Sequence, residues 1–278
     1  MAITRRRIIE LSTAATLGAG ALAAAADTAR ALPGRNELFV RMRGAPRGRP
    51  GLWWFAGTLW GKRTLDAAKA LFAVEGCSFN TLALEPDGSV RMNMIEIGFW
   101  LDPITRKPAD DWTNPLNGLK CSPVHFMGPQ ALVFSPTGEA GRPAAAPPGM
   151  DFAGRITEPL VSGDCVWVGE TLVVKGPQRS DSSGDLLQSG LPVFTATSLD
   201  TYQATRRDLA ASADQWLPAS RSYQTLGTWY PWMRMGHEAG GISFQMIGRK
   251  LRALAELPAS LSALIDERNP GWLQKHSA

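Results

Sequence analysis

Histidine and cysteine, which supply most metal and disulfide chemistry, are scarce in this chain, with three of each among 278 residues. Cys77, Cys121 and Cys165 are too few for a disulfide framework and leave room for one bridge and one buried thiol. Their even spacing marks no repeat, because GCSFN, KCSPV and DCVWV share too little. No HxH, HExxH or CxxC spacing gathers metal ligands; composition alone would allow a site from Glu96, His125 and His237, and no spacing supports it. The chain also lacks a GxGxxG after a strand, a GxxxxGK[ST] and a GxSxG, so dinucleotide, nucleoside triphosphate and serine-hydrolase chemistry have no local support. Zinc-finger spacing, an RNP-like aromatic box and a long basic helix are missing too, which argues against nucleic acid as a partner. The one long apolar run, Leu11 to Ala26, is broken by Ser12, Thr13, Thr16, Gly18 and Gly20, and is too weak for a stable membrane span.

That run belongs to what the chain does have at its start. Thr4, Arg5 and Arg6, then Ile8 and Ile9, precede an alanine-rich stretch with small-residue cleavage options, the pattern of a twin-arginine export signal over residues 1–26, with cleavage as late as residue 31 also open. The expectations that follow are a periplasmic address and the twin-arginine translocase as a partner during export. Removing the segment takes away Arg5, Arg6, Arg7 and Glu10 and lowers the formal charge from +4 to about +2, so the basic balance is partly the signal's. Residues 27–51 read as a lead-in segment. Its arginine cluster, RMRGAPRGRPG from Arg41 to Gly51, reads as a solvated loop or as a contact for phosphate or lipid headgroups.

From residue 52 to 278 the pattern is of one domain. Short runs rich in aromatic and branched residues, punctuated by Gly, Pro, Asp and Asn, predict strands at 52–60, 78–85, 89–101, 119–128, 130–135, 164–176 and 241–248. Such punctuation favours an antiparallel β barrel or sandwich over a parallel α/β fold. Helices are expected at 64–73, in mixed form at 200–216, and near the C-terminus, where Leu251 with Leu254 and Leu261 with Leu264 and Ile265 share faces. These helices would cover an opening or edge of a mainly β barrel.

Chemistry-bearing residues come from three runs. If HEAG (237–240) is a hairpin loop, Met235 faces Ile242, Met233 faces Phe244 and Trp232 faces Gln245. One face then carries methionines and Phe244, and the other carries Tyr230, Trp232, Arg234, Ser243 and Gln245. That second face reads either as a pocket wall or as a surface face with two shielding aromatics. His237 falls in the loop. In VRMNMIEIGFW, alternation sets Glu96 beside Val90, Met92, Met94 and Trp100, where desolvation would raise its pKa for acid or base work, or an arginine would pair with it. His125, within the predicted strand 119–128, reads as a core histidine or a general base. Ten tryptophans against three tyrosines suit a core with a few rings lining a cavity for flat aromatic, polycyclic or sugar-like ligands.

The blocks IEIGFWLDPITRKPADDWTNPLNG (95–118) and YPWMRMGHEAGGISFQMIGRKL (230–251), with the twin-arginine start and the closing LPASLSALI, resemble a large exported family of bacteria and fungi catalogued only as a domain of unknown function. The resemblance covers most of the mature chain, implies a calycin- or lipocalin-like barrel, and carries no catalytic residues with it. The residues themselves point to an exported enzyme acting on an apolar or aromatic small molecule by cofactor-free acid-base chemistry, as a lyase or isomerase. Glu96 or His125 would be acid or base, Arg234 and Tyr230 would stabilise an oxyanion, and Trp54, Trp100, Trp232, Gln245 and His237 would bind the ligand. A periplasmic carrier for a hydrophobic ligand and a metal-dependent hydrolase are the competing readings.

Overall fold

The computed structural model describes residues 32–46, 49–143, 149–177, 193–212 and 216–277. The expected signal segment and both of its cleavage options lie outside these residues, as does most of the polar stretch at 176–185. Gly34–Ala278 forms one unit; of the preceding residues only Leu32 and Pro33 are described, and neither is in a helix or strand.

Helix α1 (Arg35–Arg43) leads into β1 (Gly51–Arg63), β2 (Lys69–Leu84), β3 (Val90–Leu101), β4 (Trp112–Thr113), β5 (Lys120–Cys121), β6 (Phe126–Phe134), β7 (Glu139–Ala140), β8 (Asp151–Ile156), β9 (Leu160–Ser162), β10 (Cys165–Pro177) and β11 (Val193–Thr205). Then come α2 (Arg206–Ala211), β12 (Ser220–Gly227), β13 (Gly240–Leu251), α3 (Ala259–Arg268) and α4 (Trp272–Ser277). All pairings are antiparallel, in the order β11-β12-β13-β1-β2-β3-β6-β7-β8-β10, and β10 pairs again with β11 from Cys165↔Thr205 to Pro177↔Val193. The sheet is therefore a closed ten-stranded barrel with a few short helices, as the punctuated strands predict. Closure satisfies the backbone donors and acceptors that an open edge would leave to solvent.

The barrel interior has three levels. At one end α1 acts as a plug: Leu38, Phe39 and Met42 are fully buried, and the Phe39 ring meets Phe134 at 5.6 Å and Tyr202 at 5.7 Å. The carbonyls of its last turn have no partner within the helix. Lys250 Nζ donates to two of them, Arg41 O at 3.0 Å and Met42 O at 3.1 Å, and Trp53 Nε1 donates to Arg43 O at 2.8 Å. At the opposite end Phe55, Phe72, Trp100, Trp229, Met233 and Phe244 form an aromatic and methionine core. Between the two lies a polar middle.

Outside the ring, α3 and α4 lay Leu261, Ile265, Trp272 and Leu273 over Cys77, Phe79, Ile97 and Phe99 of β2 and β3. Each such large apolar side chain contributes roughly 1.5–3 kcal/mol on full burial. The three cysteines are all free, and burial pushes the Cys77 thiol up to about 12.

Several sequence expectations need correction. Residues 69–73 belong to β2 and not to a helix; Phe72 and Val74 face the core while Ala73 and Cys77 face α3 and α4, so both faces are buried and period-2 alternation disappears. Strand β11 extends through Thr205, leaving only Arg206–Ala211 helical, with Thr205 as its cap accepting from Asp208 N. The two expected strands around 119–135 are a short β5 and one continuous β6 through Pro129. The hairpin partner of β13 is β12, with Gly227 opposite Ile242; residues 228–239 connect them through a 3-10 turn at Pro231–Met233, with Arg234 in the left-handed region at φ 55°. Pro231 has no N–H to give to a ladder, which fits this outcome. The arginine cluster is not wholly a solvated loop, because Arg43 enters the barrel.

Candidate functional site

The polar middle follows from ladder register. Antiparallel partners share a face, so one inward row runs Trp100, Val74, Gly57, Met246, Tyr223, Asp200, Glu170 across β3, β2, β1, β13, β12, β11 and β10. The adjoining row places Arg221 beside Tyr202. Strands β10, β11 and β12 thus present two carboxyls, one guanidinium and two phenols to the interior, and α1 adds Arg43 from its end.

These groups close into two ion pairs. Arg43 pairs with Glu170, and its Nε donates to Asn80 Oδ1 at 3.1 Å. Arg221 pairs with Asp200 at 3.0 Å, and Tyr202 donates its hydroxyl hydrogen to the same carboxylate at 2.6 Å. All four charged side chains are at most 6 % exposed. Burial pulls the Arg221 guanidinium down, and Asp200 beside it more than restores it. Arg221 also lies between the rings of Trp53, Phe55, Tyr202 and Tyr223, at 5.7–5.9 Å from their centroids. Lys250 is committed to the α1 carbonyls, and burial with Arg41 nearby brings its ammonium down to about 7.

Glu96 is the odd carboxyl. It faces the interior from β3, as alternation predicts, between Ser78 of β2 and Gly128 of β6. Among the described residues it makes no hydrogen bond and no ion pair. Burial pushes its carboxyl above the ordinary glutamate range, against the pull of Arg221 and Arg43. Space lies next to it: a Cβ built on Gly128 meets no atom within 4 Å, whereas one built on Gly98, the next inward position of β3, lies 2.0 Å from Phe126 Cζ. The missing side chain at Gly98 admits the Phe126 ring, which stacks on Phe55 at 5.9 Å; the one at Gly128 is not compensated by any neighbour. The phenols of Tyr223 and Tyr230 feel the Glu96 charge, and burial raises both above the usual tyrosine range. Tyr223 shares a hydrogen bond with Ser198 Oγ at 3.1 Å, and Ser198 shares another with Thr225.

The other expected site residues are dispersed. Trp100 is 3 % exposed in the aromatic core, its Nε1 donating to Val124 O. Tyr230 and Trp232 stack at 5.6 Å and 15° and pack against that core, so two members of the proposed alternating trio do face inward. Arg234 does not: it is exposed and donates to Lys120 O at 3.2 Å. Trp54 lies on the outer wall, its Nε1 bonded to Glu75. His237 is exposed in the β12–β13 connection.

His125 lies just before β6 and not within a strand. Its Nδ1 accepts from Trp100 N at 3.0 Å, so its Nε2 is left to donate to Asp110 at 3.1 Å, and Arg268 of α3 holds Asp110 in turn at 2.7 Å. This arrangement ties the loop after β3 to α3 and leaves no free lone pair for a general base. Glu96, His125 and His237 therefore lie apart, and no group of three or more potential metal-ligating side chains forms among the described residues.

Gln245 is exposed and belongs to a groove of about 520 Å³ on the outer face of β11, β12, β13 and β1, with Thr58, Trp60, Leu199 and Gln224. No charged side chain lines it, so acid-base chemistry belongs to the interior. Arg43, Glu170, Asp200, Tyr202, Arg221, Tyr223 and Gly128 were not singled out in the sequence. The signal for most of them was alternation in SLDTYQA and RSYQTLG, with the inward face polar.

Comparison with known proteins adds family and little else. The family described as "Protein of unknown function (DUF1838)" matches residues 49–277. No curated protein matches the sequence. Among solved structures, the crystal structure of Rv2717c from M. tuberculosis is similar at 12% identity over 80% of this chain and 99% of that chain, with a TM-score of 0.31. The crystal structure of MucB in complex with MucA(peri) aligns at 12% identity over 80% and 95%, with a TM-score of 0.09. At these scores neither likeness bears on fold or function. Among the described residues no helix is long and apolar enough to cross a membrane.

Proposed function

We propose, for a chain that belongs to the DUF1838 family, that the barrel interior binds an apolar or aromatic small molecule and that Glu96 moves a proton on it in a cofactor-free lyase or isomerase reaction. The observation that carries this reading is the unpaired Glu96 carboxyl beside the open space at Gly128. A buried carboxyl with a raised pKa holds and releases a proton near neutral pH, which is what general acid-base work requires.

In the forward step Glu96 takes a proton from a carbon next to a carbonyl, and the electron pair of that C–H bond moves onto the carbonyl oxygen. The phenol of Tyr230, which has no hydrogen-bond partner among the described residues, donates to that oxygen as its charge grows. Return of the proton to another carbon completes an isomerisation; loss of a leaving group completes an elimination. Tyr223 is oriented by Ser198, and Phe126 and Trp100 present faces against which a flat substrate packs. The charged pairs beneath hold their strands in one register and keep Glu96 from a partner. Export by the twin-arginine route, to the periplasm, is part of the same proposal and rests on residues 1–26.

The test is native mass spectrometry of the protein isolated from its own host, to identify a retained ligand, followed by incubation of that ligand with wild type and Glu96→Gln. General acid-base catalysis predicts a loss of about 10²- to 10⁴-fold in kcat with a smaller change in KM. Unchanged turnover in Glu96→Gln removes the assignment. A carrier for a hydrophobic ligand is the second reading, favoured by the closure of both other interior carboxyls in ion pairs, which leaves Glu96 without a second carboxyl to relay protons. Recovery of the ligand unchanged after incubation with wild type selects the carrier.

A further inference from the structure

The interior charge balance bears on which small molecule fits. The two guanidiniums that reach the polar middle are both spent, Arg43 on Glu170 and Arg221 on Asp200, and the Lys250 ammonium is spent on the carbonyls of α1. A carboxylate or phosphate entering beside Glu96 finds no free cation and meets a third carboxyl instead. Desolvating an anion without a partner costs several kcal/mol, so such ligands are disfavoured.

A cation meets the reverse situation. Glu96 is the one interior carboxyl left without an ion pair among the described residues, and the rings of Phe126, Tyr223, Tyr230 and Trp100 pack around the same end of the interior. Ring faces attract an ammonium group through their quadrupole, and more strongly where water is excluded. An ammonium beside Glu96 also removes the charge imbalance of three carboxyls against two guanidiniums. We infer that the space between Glu96 and Gly128 receives the amine end of an aryl or aryl-alkyl amine, with the rings of the aromatic core receiving its apolar body. This rests on the interior being the binding site, as proposed above, and adds the charge class of the ligand.

Three probes of matched shape test it: 2-naphthylmethylamine, 2-naphthylmethanol and 2-naphthoate, titrated calorimetrically into the full-length protein at pH 7. The expected result is that the amine binds at least about tenfold more tightly than the alcohol, a difference of about 1.4 kcal/mol, and that the naphthoate does not bind measurably. In Glu96→Gln the amine should fall to the level of the alcohol while the alcohol stays unchanged. Gly128→Leu, which fills the space without touching a charge, should weaken amine and alcohol together. An alcohol that equals or exceeds the amine in wild type overturns the amine assignment but leaves the interior site standing. So does an amine preference that survives Glu96→Gln. Binding that ignores Gly128→Leu, or no binding by any probe, removes the interior site and the proposed function with it.

Discussion

The Arg43–Glu170 pair offers the sharpest energetic test of the fold, because it joins a helix from before the first strand to the far wall of the barrel. Both side chains are nearly inaccessible, at 3 % and 2 %. Arg43→Met leaves a buried carboxylate without its counter-charge, and removing one partner of such a pair costs about 3–5 kcal/mol. The same change takes the donor from Asn80 Oδ1 and the cation from the faces of Phe39 and Tyr202, at 5.5 and 5.4 Å. These losses share one side chain and do not simply add, so a total of about 4–6 kcal/mol is expected, much of the stability of an ordinary domain. The double variant Arg43→Met/Glu170→Met replaces the pair with apolar volume and should return to within about 2 kcal/mol of wild type. Urea unfolding followed by tryptophan fluorescence at pH 7 measures all four corners of the cycle. Acid should help only the single Arg43→Met variant, because burial raises the Glu170 carboxyl and protonation removes its charge. A single-variant cost under about 1 kcal/mol, or a double variant as unstable as the two singles summed, would refute the claim that this pair is a coupled, desolvated unit.

Two further predictions rest on neighbouring features. Gly98→Ala must displace the stacked Phe126 ring and should destabilise by about 1–3 kcal/mol, while Gly128→Ala should change stability by less than about 1 kcal/mol because its Cβ enters open space; equal costs in thermal melts would deny the space beside Glu96. Lys250 binds its proton less tightly in the folded state, at about 7, than in the unfolded chain, near 10.5. The unfolded state therefore carries more protons between these values, and stability should rise with pH across that window by up to about 1.4 kcal/mol per unit. Lys250→Met should lose that rise, and parallel stability-pH curves for variant and wild type would contradict it.

How far the sequence foretold this arrangement varied with what each strand packs against. β3 was legible, and Glu96 with it, because its inward residues Val90, Met92 and Met94 alternate with exposed Arg91 and Asn93. β2 was misread at its start as helix because the barrel buries one face and α3 and α4 bury the other, which erases the period. β12 went unrecognised for the opposite reason: its inward residues are Arg221, Tyr223 and Thr225, so a search for an apolar face looks past it. The density of aromatics in TWYPWMRM then made the connection after it look like the strand. Arg43 was out of reach altogether, since its partner Glu170 is distant in sequence and nothing local distinguishes it from the other arginines of its cluster. The family match begins at residue 49, so the helix that carries it also lies outside the conserved description.

The seam of the ring sets an order of events during folding. β1 is flanked by β2, made soon after it, and by β13, whose Leu251 must travel back to meet Leu52. Contacts so far apart in the chain form slowly, and until the last strand is available one edge of β1 stays unpaired. A nascent chain lacking its final tenth is thus an open, curled sheet with adhesive edges and a half-covered polar interior. Loss of the C-terminal residues by truncation should accordingly yield aggregation and not a smaller folded protein, and completion of synthesis is the point at which this molecule first becomes self-contained.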